Sequence, residues 1–259
     1  MELIHATSTE QIVIHSLSPA HIVRWLRLAV ADLRRAPADA LFYGAVFVLM
    51  GYSLVLYFNS APQVVLTLST LFLLVGPFLA IGIYDIARQI EGRGAREPIS
   101  LRHSLVAWRE NVQGFSLYAA LLAILVFSWF RVSLLIFALF FDYAALPSMG
   151  QLLTQVLLPQ NLGFLLVYMG SGFLFALLAF AASAFAVPMM LDKDIDTITA
   201  MLSSMQAVQK NLMTMVLWAA MIVGLTIIGL ATYFVGLLLV MPLIGLASWH
   251  AYRDTISYE

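Results

Sequence analysis

No cysteine occurs in the 259 residues. That absence excludes disulfides, thiolate metal sites, Cys-held iron–sulfur clusters and cysteine nucleophiles. Charge is nearly as scarce, at 10% of residues against roughly 25% in an average soluble domain. The formal net charge of −1 provides no field to attract nucleic acid or an acidic substrate. The N-terminal segment MELIHATSTEQIVIHSLSP has neither a basic region nor an apolar core, so no cleaved secretory signal is expected and the first membrane helix serves as the targeting signal. His5, His15, His21 and His103 fall outside the long apolar runs and His250 stands alone near the end of one, so the helices carry no paired ligands for haem. Gly92 and Gly94 in EGRGAREP lack the strand, lysine and helix context of a phosphate cradle. No nucleophile and base stand in a recognisable arrangement, and neither an enzyme nor a cofactor is expected.

What the chain does contain is apolar sequence, at 62% of residues. Crossing about 30 Å of hydrocarbon as a helix takes roughly 20 such residues. Six stretches qualify: about 40–58, 64–87, one from near Gly114, 162–190, and two within 212–252 divided near Gly236. Twelve of the 13 Lys and Arg residues lie in four segments, namely the N-terminal region, residues 88–109, residues 193–210 and the C-terminal end. Basic loops collect on the cytoplasmic side. The outer returns, 59–63 (with the turn Asn59-Ser60-Ala61-Pro62), 142–161 and near 236, hold no Lys or Arg. The expectation is an all-α polytopic bundle in a bacterial inner membrane, with both termini cytoplasmic.

Arg131 is the exception to that charge pattern. At 1.5 Å per residue it stands roughly 28 Å along the third helix, near the far headgroups. It reads as an interfacial anchor, with a buried ion pair to a carboxylate such as Asp142 as the sharper alternative.

Residues 1–18 read as a flexible cytosolic tail and 19–259 as one membrane domain. From Pro19 to Arg35 the spacing predicts an amphipathic helix: Ile22, Leu26, Ala29 and Leu33 share a face with Trp25, and Arg24, Arg27, Arg34 and Arg35 lie opposite. Such a helix is expected to lie on the membrane, basic face on anionic headgroups and apolar face in the acyl boundary, with a cap packed on the protein's own cytosolic surface as the plainer alternative.

The chain also repeats itself. PFLAIGIYDIAR (Pro77 to Arg88) and PLIGLASWHAYR (Pro242 to Arg253) place Pro and Arg at the same separation, with Tyr84 or Trp249 at one shared offset and Asp85 or His250 at the next. Each follows an amphipathic segment and another crossing. Leu101 to Glu110 leads a looser middle copy that ends near Pro188. Three parallel units are expected, about 19–92, 98–191 and 194–254, each a surface helix and a hairpin of crossings.

Asp85 and His250 are the most suggestive titratable pair, able in principle to relay a proton or hold a metal. The plainer reading neutralises Asp85 with Arg88 and puts His250 in an aromatic belt with Trp249 and Tyr252, beside Arg253; no metal site is expected. Pro77, Pro188 and Pro242 are expected helix kinks. Gly172, Ala176, Ala179, Ser183 and Ala186 form a small-residue seam that permits close helix packing, within the fold or with another subunit. In Asp192-Lys193-Asp194-Ile195-Asp196, Asp194 or Asp196 caps the next helix.

WLRLAVADLRRAP, LLVGPFLAIGIYDIAR, WFR ending at Arg131, VPMMLDKDID followed by Asn211, and PLIGLASWHAYRD together resemble the bacterial domain-of-unknown-function family 2189, from about Trp25 to Asp254. The resemblance implies a polytopic inner-membrane protein and no established activity or catalytic residues. Some members carry a cytochrome oxidase subunit I-like label, from which this chain departs for want of histidine ligands. The function expected is a non-enzymatic membrane scaffold or accessory subunit, associated with a respiratory complex. The alternative is a small transporter or lipid-interacting protein built on the Pro77 and Pro242 kinks. The expected partners are membrane lipids and a membrane complex or further copies of the chain, with no nucleic acid.

Overall fold

The structure, a computed structural model, describes residues 12–58, 62–92, 98–141, 161–193 and 195–259. The elements in order are β1 (Ile12–Ile14), α1 (Ala20–Arg35), α2 (Pro37–Phe58), α3 (Pro62–Gly92), α4 (Leu101–Val106), a 3-10 turn (Ala107–Asn111), α5 (Val112–Phe140), α6 (Leu162–Ser183), α7 (Ala186–Asp192), α8 (Thr197–Lys210), α9 (Leu212–Ala231), α10 (Leu237–Thr255) and β2 (Ile256–Tyr258).

Local chemistry explains several boundaries. Pro37 opens α2, where a missing N–H costs nothing, and Asp39 faces the positive end of the helix dipole. The Asn111 side chain accepts from the Gly114 amide at 2.8 Å and caps α5. A Cβ on Gly114 would collide with that cap, so the position requires glycine. Asp196 caps α8 by accepting from the Thr199 amide at 2.9 Å; Asp194, the other expected cap, lies outside the described residues.

Among the described residues, four helical stretches are long and apolar enough to cross a membrane: Pro37–Tyr57, Leu101–Phe140, Leu162–Asp192 and Leu212–Ala231. The expected crossings in α3 and α10 are not among them. The last turns of α10 carry His250, Arg253 and Asp254, and much of the apolar half of α3 has side chains outside the described set. The outer turns at 59–61 and 142–160 lie outside it as well.

The core gathers at one end of the molecule. α10 packs against α1, α2 and α3, while α7 touches α3, α8 and α10. Trp25, Ile86, Ala186, Met189, Leu246 and Tyr252 are among its buried side chains. The backbones approach closely: a Cβ on Gly245 would stand 2.6 Å from Ile83 Cγ2. Away from this end α5 and α6 pair mainly with each other, and aromatic rings of Phe137, Phe164 and Tyr168 fill the space between them.

Two expectations are corrected. First, α1 does not lay its apolar face in the membrane: Ile22, Trp25 and Ala29 are buried against α10, and Trp25 meets Trp218 edge-on. An indole N–H buried in lipid would lack an acceptor, whereas here it donates to Asp254 at 2.8 Å. Second, the tail is not free throughout, because Ile12–Ile14 pairs antiparallel with Ile256–Tyr258 and the Leu17 amide donates to Asn211 Oδ1 at 2.7 Å; residues 1–11 lie outside the described set. The kink expected at Pro188 is present within the fourth apolar stretch, Leu162–Asp192. The helix breaks between Ser183 and Ala186, just before Pro188, whose nitrogen cannot donate to the carbonyl of Ala184. Ser204 fills the break, accepting from the Phe185 amide at 3.1 Å and donating to Ala181 O at 2.7 Å. Pro77 and Pro242, by contrast, sit inside continuous helices.

Candidate functional site

Ion pairs among the described residues gather at the core end in three groups. α3 supplies the first. Asp85 is fully buried, and its carboxylate accepts four hydrogen bonds: Arg88 Nε at 3.1 Å and Nη2 at 2.7 Å on one oxygen, Gln89 Nε2 at 2.7 Å and His103 Nδ1 at 2.8 Å on the other. Asp85, Arg88 and Gln89 share this neighbourhood because residues three and four apart lie on one helix face. Arg88 also donates to Glu110 at 2.8 and 2.9 Å and to Leu191 O at 2.6 Å. Burial disfavours the Arg88 cation, but its bonds to Glu110 and Asp85 outweigh that and hold its pKa above the ordinary value.

In the second group Arg253, at the end of α10, reaches Glu91 at 3.0 Å and Asp192 at 3.1 Å. Trp249 donates to Glu91 at 3.0 Å and the Tyr252 hydroxyl to Asp192 at 2.7 Å. The third ties α1 to α10: His250 Nε2 lies 2.6 Å from Asp32, and Arg24 lies 3.4 Å from Asp254. α7 links the first two groups, since Leu191 O receives Arg88 and Asp192 receives Arg253 and Tyr252. Among the described residues no buried side-chain nitrogen or oxygen lacks a hydrogen-bond partner.

Asp85, His103 and Glu110 each offer one ligand atom, all within 4.8 Å of one another. The donor set does not fit a cation, because the Arg88 guanidinium already lies across both carboxylates. An added metal would have to displace that charge from the buried Asp85 carboxylate and from its two bonds to Glu110.

Asp85 and His250, read together from the sequence, are separated: Asp85 pairs with His103 and His250 with Asp32. Arg88 and Arg253 lie in the clusters as neutralising cations, as the plainer reading had it for Asp85. Trp249 and Tyr252 form no lipid-facing belt; both are buried in polar contacts. Arg131 belongs to no group. It is exposed on α5 with no ion pair among the described residues, and Asp142 lies outside them. The seam faces α5: a Cβ on Gly172 would touch the Trp129 ring at 3.2 Å, and Ser183 accepts from Tyr118 at 2.8 Å. Ala176 and Ala179 line an apolar groove of about 310 Å³ with Leu122, Leu125, Val126 and Trp129. Ala186 lies beyond the helix break, buried on α7.

Sequence reasoning missed His103 and Gln89 as partners of Asp85, Glu110 as a partner of Arg88, and Asp32 as the partner of His250. The available signal was charge balance: a buried Asp and a nearby Arg require further counter-groups from the loop at 98–111.

An array of apolar helices joined at one charged, internally satisfied end defines a polytopic helical membrane protein. Residues 64–192 match the family described as predicted integral membrane protein (DUF2189), and the chain belongs to that family. The match covers about half the chain, leaving WLRLAVADLRRAP and PLIGLASWHAYRD outside it. No curated protein and no solved structure matches the chain.

Proposed function

We propose that this chain is a non-enzymatic membrane scaffold or accessory subunit. It would have six crossings in three hairpin units, sit in a bacterial inner membrane and keep both termini in the cytoplasm. The observation that carries the reading is the state of Asp85, the most deeply buried carboxylate among the described residues. Its four hydrogen bonds come from the protein itself, which consumes the lone pairs that proton transfer or metal binding would need. The same end is held together by polar contacts, while α5, α6 and α9 keep large exposed aliphatic faces, including Leu135, Phe173 and Ile227. Rigid anchorage at one end and broad apolar surface elsewhere suit a subunit that docks in the bilayer.

The three-unit reading draws support from how the short helices pack. α4 lies on α3, α8 on α6 and α7, and α1 on α10, so each surface helix covers the last helix of the unit before it and the first closes on the last. The hydroxyl of Tyr43 in α2 bonds Ser104 in α4 at 2.9 Å, and Trp218 in α9 meets Trp25 in α1.

The groove between α5 and α6 favours the lipid-interacting alternative, because an apolar channel of that kind accepts an acyl chain. The close contacts of Gly245 with Ile83 weigh against a transport path beside Pro242.

Extraction in a mild detergent, a native gel and mass spectrometry of comigrating chains test the proposal. Respiratory, cytochrome oxidase-type partners are the first class to seek. Reproducible comigration with a membrane complex supports the subunit reading, and migration alone overturns it in favour of lipid handling.

A further inference from the structure

The buried face of α1 leaves the opposite face unexplained. Val23, Arg27, Val30 and Arg34 follow a spacing of four, three and four residues, which places them on one stripe of the helix. All four are exposed, the valines by 60% and 36%. The stripe points away from Ile22, Trp25 and Ala29. α4 and its 3-10 extension repeat the device. Arg102, Leu105, Val106 and Arg109 are spaced by three, one and three, again on one face, with Leu105 and Val106 exposed by 44% and 41%. None of the four arginines forms an ion pair among the described residues; Arg109 stacks over Trp108 at 5.4 Å. α8, the third short helix, exposes Ile198 and Leu202 but has no arginine between Thr197 and its end.

Both stripes stand at the mouth of a membrane-spanning helix. α1 ends at Arg35, with only Ala36 before Pro37, and the α4 extension runs directly into Val112. A surface there that interleaves aliphatic side chains with uncompensated cations matches one neighbour: hydrocarbon beneath, phosphate above. Valine and leucine enter the acyl boundary while arginine extends to the phosphate layer. An acidic soluble protein would satisfy the cations but not the interleaved aliphatics, and a second copy would bring the same positive stripes against each other.

We infer that the two stripes, Val23–Arg27–Val30–Arg34 and Arg102–Leu105–Val106–Arg109, form a binding surface for anionic phospholipid at the charged end of the bundle. Arg27, Arg34, Arg102 and Arg109 hold the headgroup phosphates, bidentate where geometry allows. The inference does not depend on the scaffold reading.

The test uses the full chain in nanodiscs of phosphatidylcholine mixed with phosphatidylglycerol, followed by native mass spectrometry of the lipids retained on the protein. The expected result is enrichment of phosphatidylglycerol over its bulk share, falling with added salt. Arg27→Gln with Arg34→Gln, and separately Arg102→Gln with Arg109→Gln, should each reduce that enrichment, by up to about fivefold per arginine removed. The corresponding Lys variants should restore it, and Gln209→Ala on α8 should leave it unchanged. Helix content by circular dichroism separates loss of binding from loss of fold; if a paired variant unfolds, single Gln variants carry the comparison. Equal enrichment in wild-type and Gln variants overturns the inference. So does an arginine-dependent dimer in phosphatidylcholine alone, which would assign the stripes to a second copy, or arginine-dependent retention of an acidic protein without lipid selectivity.

Discussion

Asp85→Asn replaces a carboxylate with an amide of nearly the same shape. Asn retains one acceptor oxygen and turns an NH₂ toward donors that Asp85 satisfies with its second oxygen. If the amide faces Arg88, contacts at 2.7 and 3.1 Å become donor against donor. If it faces the other way, Gln89 and His103 lose their acceptor at 2.7 and 2.8 Å. Arg88 still has Glu110 and Leu191 O, and Gln89 still has Ser100 O at 3.2 Å, so either arrangement loses two charge-assisted bonds. At roughly 1.5–3 kcal/mol each, the expected destabilisation is about 3–6 kcal/mol. Denaturant unfolding in detergent, followed by tryptophan fluorescence and by circular dichroism, measures it. Arg88→Gln alone should cost a similar amount by stranding Asp85. The double variant should cost at least about 1 kcal/mol less than the sum, because each change removes the same interaction. A stability for Asp85→Asn within about 0.5 kcal/mol of wild type would place the residue among ordinary surface positions and refute the clamp.

Ser204→Ala should destabilise by about 2–4 kcal/mol, since it leaves both the Phe185 amide and Ala181 O without their partner at the helix break; hydrogen exchange should accelerate first at residues 183–189. Asp196→Ala, which removes the α8 cap, should cost about 1 kcal/mol in the same unfolding assay. The Thr199 side chain and amide hold the Asp196 carboxyl below its ordinary range. Its contribution is therefore present above the unfolded value and lost as pH falls through the folded one; Asp196→Asn should remove that acid-side component, and an unchanged acid profile would contradict the assignment. Tyr233 is 81% exposed with a φ of 54°. Tyr233→Gly should raise stability by up to about 1 kcal/mol by relieving left-handed backbone strain, read as a higher denaturation midpoint.

The surface helices show where one-dimensional reading stops. The amphipathic pattern from Pro19 to Arg35 was legible, and the helix spans Ala20–Arg35. Its environment was not, because an apolar stripe fits equally against lipid and against a protein groove. Trp25 decides between them only through Asp254, a residue 229 positions away. The break in the fourth apolar stretch has a similar history. Pro188 marked an interruption, but the serine that satisfies the freed backbone comes from α8, across the loop that follows. Asp85 and His250 illustrate the converse error: matching offsets along two similar segments do not bring two side chains together.

Long apolar runs, scarce charge and clustered basic residues determined by themselves that this is a helical membrane protein with one charged end. Hydropathy and charge are properties of each segment, so they survive without knowledge of the fold. Only the tertiary structure decided which face of α1 is buried, that Arg88 lies across both Asp85 and Glu110, and that Ile12–Ile14 meets Ile256–Tyr258 in a β-ribbon. Those outcomes rest on contacts between residues far apart in sequence, and the low dielectric of a buried site makes the identity of each partner decisive.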